Sequence, residues 1–256
     1  MKSYLRPSQR VTLVLAAVLA WPAVSHAQVK VIISGGFSAA YRELLPAFEK
    51  TGTTVTTTSG GSVGSGPNTI GGQLRRGVPA DVVILAREGL SELITEGRIV
   101  PGTDVDLARS IIGMVVRAGA PKPDISTVDG LKQVLVRAKS VAMSSSTSGV
   151  YLTTKLFPQL GIADEMAKKS LMTGAAAVGK GEAEVGLQQV SELLPIEGVT
   201  YVGTIPEEVQ YVTIYAAAVV AGSSQIEAGK RLIAHLSAES ASPAIKKSGM
   251  EPAKRK

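Results

Sequence analysis

Three times in this 256-residue chain a short apolar or β-branched strand runs into a loop of glycine and serine that opens a helix. Val29 to Ile33 runs into Ser34-Gly35-Gly36-Phe37-Ser38, Val55 to Thr58 into the stretch from Ser59 to Gly66, and Ser140 to Met143 into Ser144 to Gly149. Strand, loop and helix in alternation predict sheets of parallel strands with helices on both faces. The strands read as near-continuous apolar runs, as strands covered on both sides should. Helices are expected over 38–50, with Tyr41, Leu44, Leu45 and Phe48 at helical spacing, and over 68–76, 88–96, 151–160 and 164–169, with one capped by Thr127 running to about Ala138. Further strands are expected at 81–85, 111–116, 185–187 and 201–202, and one long β-rich run at 209–220. The plan occurs twice, so two α/β lobes with a cleft between them are expected: residues 28–108 plus 215–256, and residues 109–214.

The three loops set the functional expectation. In open α/β sheets ligands sit beyond the carboxyl ends of the strands. A helix start there offers unpaired N–H groups and the positive end of a dipole. Glycine admits close backbone approach, and hydroxyls add neutral donors. Any one glycine-serine loop could be a plain connector; three of them after strands point to a site for a small multivalent anion. None reads Gly-x-x-x-x-Gly-Lys-Ser/Thr, and no Gly-x-Gly-x-x-Gly fingerprint is completed, so nucleotide and dinucleotide cofactors are not implied.

Composition narrows the chemistry. There is no cysteine, which removes thiolate catalysis, thiolate metal sites and disulfides. Of the two histidines, His26 lies in an apparent leader and His235 in a C-terminal helical pattern, where a capping or solvent-facing place is expected. A histidine-based triad or metal site is not supported, and no metal or cofactor is expected. Lys2, Arg6 and Arg10 precede the apolar run Val11 to Ala20, and Ser25-His26-Ala27 offers a small-residue cleavage site. This reads as a secretory signal peptide, residues 1–27, too short to span a bilayer. Removing its three basic residues takes the formal charge from +6 to +3. That modest excess gives no nucleic-acid footprint. A soluble, exported, periplasmic monomer is expected.

The residues also resemble a known family, the molybdate-binding, type 2 periplasmic solute-binding proteins of ABC importers. The resemblance rests on Gln73-Leu74-Arg75-Arg76-Gly77-Val78-Pro79-Ala80-Asp81-Val82-Val83-Ile84, on Thr147-Ser148-Gly149-Val150-Tyr151, and on Ala244 to Gly249. It implies a two-lobed fold closing on a small anion, and an ABC importer permease as partner. It places the ligand on Gly36, Phe37, Ser38, Gly61, Ser62, Arg109, Ser110, Ser146, Ser148, Gly149, Tyr151 and Gln189. The pattern also departs from the family. Gly36 stands where the family's first-loop serine donates to the oxyanion, and Gln189 stands for its late tyrosine. Arg109 replaces a neutral residue; it is open to two readings, a grip on a ligand carboxylate or a surface or hinge ion pair. Arg87 shares that ambiguity, while Arg75 and Arg76 are expected in solvent. The departing pattern is similar to that of periplasmic aconitate isomerases of pseudomonads, which move a double bond by removing and returning a proton. For that chemistry Tyr151, Glu192 and Lys155 are the candidate proton carriers, while Tyr151 and Glu192 read by default as packing or surface residues. The residues therefore favour capture of a di- or tricarboxylate, with aconitate isomerisation as the alternative and a molybdate or tungstate receptor as a second alternative.

Overall fold

The structure is a computed structural model that describes residues 28–254; the expected signal peptide lies outside the described residues. In chain order the strands are β1 (Gln28–Ile33), β2 (Thr54–Ser59), β3 (Val82–Ala86), β4 (Val105–Ser110), β5 (Ile112–Arg117), β6 (Val141–Met143), β7 (Ser170–Leu171), β8 (Val185–Gln189), β9 (Val199–Thr204), β10 (Thr213–Val219) and β11 (Glu251–Pro252). They form two sheets, one of order β11-β4-β10-β3-β1-β2 and one of order β7-β6-β8-β5-β9. The chain leaves the first sheet after Ser110 and re-enters it at Thr213. Gln210 fastens the two crossings together: its Oε1 accepts from the N–H of Ile112 (2.8 Å), and its Nε2 donates to the carbonyl of Ile112 (3.0 Å).

Alternation along the strands explains the apolar runs. In β3, Val82, Ile84 and Ala86 join one core with Phe37, Tyr41, Phe48 and Leu232, while Val83 and Leu85 join another with Ile70, Leu90 and Leu93. In β5, Met114 and Val116 face Leu131, Leu152 and Phe157, and Val115 faces Ala142, Ala175 and Val178. Successive strand residues point to opposite faces, so a sheet covered on both needs apolar side chains throughout. Asp81, in the Pro-Ala-Asp stretch, ties strand ends: its carboxylate accepts from the N–H of Lys30 (2.7 Å) and from Ser223 Oγ (2.6 Å).

The sheets are mixed, not wholly parallel. β1 runs parallel to β2 and β3, but β10 is antiparallel to β3 and β4, and β5 is antiparallel to β8 and β9. Both antiparallel strands stand next to the crossings, where the chain must reverse. The run at 209–220 breaks in two, a 3-10 turn at Glu207–Val209 and then β10, because the Gln210 amide takes the backbone groups of Ile112. The helix expected at 151–160 carries a wide π-type turn at Leu152–Leu156. Pro158 follows one turn on, without an N–H and with a ring that crowds the preceding turn, which favours such widening. The helix expected at 68–76 spans Ile70–Arg75; Thr69 Oγ1 caps it by accepting from Gly72 N–H (3.0 Å). Thr127 caps Val128–Arg137 in the same way. His235 neither caps nor faces solvent freely. It is half-buried against Phe48, with Nε2 3.0 Å from the carbonyl of Leu44.

Candidate functional site

Each of the three glycine-serine loops begins where a strand ends, and the fold brings loops of the two lobes face to face. The N–H of Ser62 donates to Ser146 Oγ across the cleft (3.1 Å). Ser62 is held in turn by its own hydroxyl, which accepts from the N–H of Ala86 at the end of β3 (3.0 Å). On the other side, Ser146 starts the helix Thr147–Tyr151, and Ser144 Oγ and Ser148 Oγ lie 3.3 Å apart. Gly149 is required by that turn, since a Cβ there would stand 1.7 Å from the carbonyl oxygen of Ser144.

The first loop meets the second lobe at an interlobe groove of about 270 Å³. Gly35, Ser38 and Arg42 line one wall; Gly174 to Ala176, Gln188, Ser191 and Glu192 line the other. Ser38 begins the helix Ser38–Glu49 and Arg42 follows one turn later on the same face. Ser38 Oγ is turned back to the carbonyl of Ser34 (3.0 Å). Glu192 comes so close to the first loop that a Cβ on Gly35 would stand 2.4 Å from its Oε1. Burial pushes the Glu192 carboxyl above the usual carboxylate range, and a hydrogen bond with Gln188 offsets this in part. Gln188 is itself positioned, its Oε1 accepting from the N–H of Ala175 (2.9 Å).

Beside Glu192 lies Tyr215, in β10, with 3% of its surface exposed. A Cβ on Gly36 would stand 1.8 Å from the Tyr215 hydroxyl. Burial raises the Tyr215 phenol well above its ordinary range, and the charges of Glu192 and Glu88 add to this. Glu88 accepts a hydrogen bond from Tyr211, whose ring stacks on Tyr151 at 4.8 Å and 18°. Tyr151 hydroxyl donates to the carbonyl of Val209 (2.8 Å). Desolvation raises the phenols of both Tyr211 and Tyr151.

Among the described residues four buried side-chain atoms have no protein partner: Ser34 Oγ after β1, Thr147 Oγ1 at the start of the helix Thr147–Tyr151, Ser170 Oγ in β7 and Gln189 Oε1 at the end of β8. Such atoms cost stability unless something pairs with them. Gln189 also binds Thr213 Oγ1 through Nε2 (2.6 Å). Turning its amide over would let the Thr213 hydroxyl donate to the oxygen and would free the NH2 for a ligand.

Several expected residues fall elsewhere. The Phe37 side chain is fully buried in the first lobe's core, so only its backbone borders the loop. Gly61 is engaged through its backbone, its N–H on the carbonyl of Asn68 and its carbonyl on Ile70. Ser110 is buried with its hydroxyl 3.4 Å from Ser191 Oγ, just behind the groove. Arg109 is exposed, opposite Ile214 and Glu251 in the sheet and on the strand face away from Ser110, which favours the structural of its two readings. Lys155 is exposed on the π-type turn, away from the groove. Arg87 is occupied by Asp104 and Asp106. Larger hollows of about 780 and 590 Å³ lie within the first lobe, around Arg87 and around Arg98, and their arginines are taken up by carboxylates. Arg42, Glu88, Tyr211 and Tyr215 were not anticipated. Arg42 could have been found from its spacing to Ser38; the others carry no local signal. Among the described residues no group of histidine and carboxylate side chains could hold a metal, and no helix is long and apolar enough to cross a membrane.

Comparison with known proteins agrees with this geometry. The family described as bacterial extracellular solute-binding protein matches residues 29–251. Aconitate isomerase of a Pseudomonas species is 42% identical over 227 residues, 87% of each chain. The molybdate-binding protein ModA of Mycobacterium tuberculosis is 26% identical over 195 residues, 72% of this chain and 70% of its own. The solved periplasmic molybdate-binding protein of Azotobacter vinelandii superposes with a TM-score of 0.70 at 18% identity, covering 89% of this chain and 100% of that one. With its two mixed sheets, interlobe groove and a family match over nearly the whole described chain, this protein belongs to the bacterial extracellular solute-binding proteins.

Proposed function

We propose that the protein is an exported aconitate isomerase, interconverting cis- and trans-aconitate in the interlobe groove, after loss of a signal peptide cleaved after about Ala27. The observation that carries this reading is Glu192: a carboxyl inside the groove, against Gly35, whose affinity for a proton is raised by burial. The likeness to aconitate isomerase at 42% identity supports the choice of substrate.

The reaction needs one proton moved. The Glu192 carboxylate takes a proton from the substrate methylene, which is acidified by the adjacent carboxylate. The C–H electron pair spreads over the allyl system into that carboxylate, and the double bond migrates. Glu192 then returns the proton to the far carbon of the allyl unit, so that no cofactor or redox partner is needed. A carboxyl with a raised proton affinity suits both halves of this transfer better than an ordinary glutamate, because a base works best with a pKa near the working pH. Arg42, Ser38 and Ser191, which line the groove, are the groups offered to the substrate's carboxylates.

The test is proton NMR of cis-aconitate with purified mature protein. Growth of trans-aconitate signals is expected, together with a loss of about 10²- to 10⁴-fold in Glu192→Gln, the usual span of a general base. Full activity in Glu192→Gln would remove Glu192 from the role. Broadened but unconverted substrate signals with the wild type would mark a carboxylate-binding protein that serves an importer, the reading favoured by the fold of its relatives.

A further inference from the structure

The geometry points to the Tyr215 hydroxyl as a substrate-binding donor that takes the place of a side chain at residue 36. Three observations carry it. The phenol is almost wholly buried, yet among the described residues its hydroxyl has no hydrogen-bond partner. The hydroxyl stands 1.8 Å from where a Cβ of residue 36 would be, so it occupies the position that any other residue there would fill. Next to it, Gly35 leaves room for the Glu192 carboxyl in the same way, at 2.4 Å. The two glycines thus form one opening, and through it a phenol hydroxyl from the first sheet and a carboxyl from the second lobe approach the start of the groove.

Unlike Ser34 Oγ and Gln189 Oε1, this hydroxyl is not sealed from solvent, so in the empty protein water can pair with it and a ligand can reach it. A ligand entering the groove displaces that water and supplies the acceptor. Burial and the charges of Glu192 and Glu88 keep the phenol protonated, so toward a ligand it acts as donor. The acceptor this site suits is a carboxylate oxygen whose negative charge grows as the neighbouring C–H proton leaves for Glu192. Donors already aimed at developing charge stabilise it without reorganisation. This inference rests on the isomerase reading for its substrate.

The experiment compares wild type with Tyr215→Phe, which deletes only the hydroxyl, by calorimetric titration with trans-aconitate, by turnover of cis-aconitate and by unliganded melting midpoint. The expected result is a midpoint at or above the wild-type value, affinity about 10- to 100-fold weaker, as for loss of a hydrogen bond to a charged group, and a turnover loss at least as large. Unchanged affinity and turnover in Tyr215→Phe, with an active wild type, would overturn the inference and leave the isomerase reading standing. A lower midpoint accompanying the loss would also overturn it, because the hydroxyl would then be a structural partner. A wild type that binds trans-aconitate without converting any substrate, while Tyr215→Phe binds it more weakly, would sink the isomerase reading and sustain Tyr215 as a ligand donor. A wild type that neither binds nor converts would overturn both.

Discussion

Glu192 carries opposite consequences for activity and for stability. As a base it must be ionised, so activity falls as pH drops through a value above the usual glutamate range. For stability, a carboxyl whose proton is bound more tightly in the folded state costs nothing below the ordinary carboxylate range, where both states are protonated. The cost grows as pH rises and is complete above the folded-state pKa. Chemical denaturation of wild type and Glu192→Gln across this range should therefore show stability declining with pH in the wild type and a flatter dependence in the variant. Parallel curves would mean that the carboxyl is better solvated than its surroundings suggest.

At the scale of the element, the short loops are held from behind. Gly89 sits in the helix Arg87–Thr95, where alanine would ordinarily gain up to about 1 kcal/mol over glycine. Here a Cβ would stand 1.9 Å from the carbonyl oxygen of Ser62, a backbone atom that cannot swing aside. Overpacking of this kind costs about 1–3 kcal/mol, so the clash outweighs the helix propensity. Gly89→Ala should lower the melting midpoint and weaken ligand affinity by moving Ser62; a stabilised variant with unchanged affinity would show that the loop adapts. The same scale explains what could be read from sequence. The strands β3 and β6 were legible because burial on both faces leaves an uninterrupted apolar run, and β1 because its β-branched residues stop at Ser34-Gly35-Gly36. β4 was not, because Asp106 and Arg109 break its apolar pattern and Asp104 precedes it, the two aspartates serving Arg87. Tyr215 was hidden for the opposite reason: it sits within Tyr215-Ala216-Ala217-Ala218-Val219, a run that reads as core, and only the fold carries its hydroxyl to the first loop. Glu192 was within reach as a candidate, yet nothing nearby in sequence announces Gly35.

Over the whole molecule, side-chain hydrogen bonds join the lobes at several points, among them Ser62 to Ser146, Gln189 to Thr213 and Tyr211 to Glu88. Because the Tyr211 phenol stays protonated well past neutral pH, its bond to Glu88 persists across the working range. Tyr211→Phe removes it without removing the ring that stacks on Tyr151. Solution scattering should give a larger unliganded radius of gyration for the variant, returning to the wild-type value on saturation with ligand. Identical unliganded curves would show that this contact does not hold the lobes together.

The amide of Gln210, bound to both backbone groups of Ile112, joins the outgoing and returning strands just beyond the pairing of Ser110 with Thr213. Ladder and clamp together hold the two crossings side by side, so they serve as one connecting element and not as two independent strings. Any swing of the lobes is expected to turn on this pair.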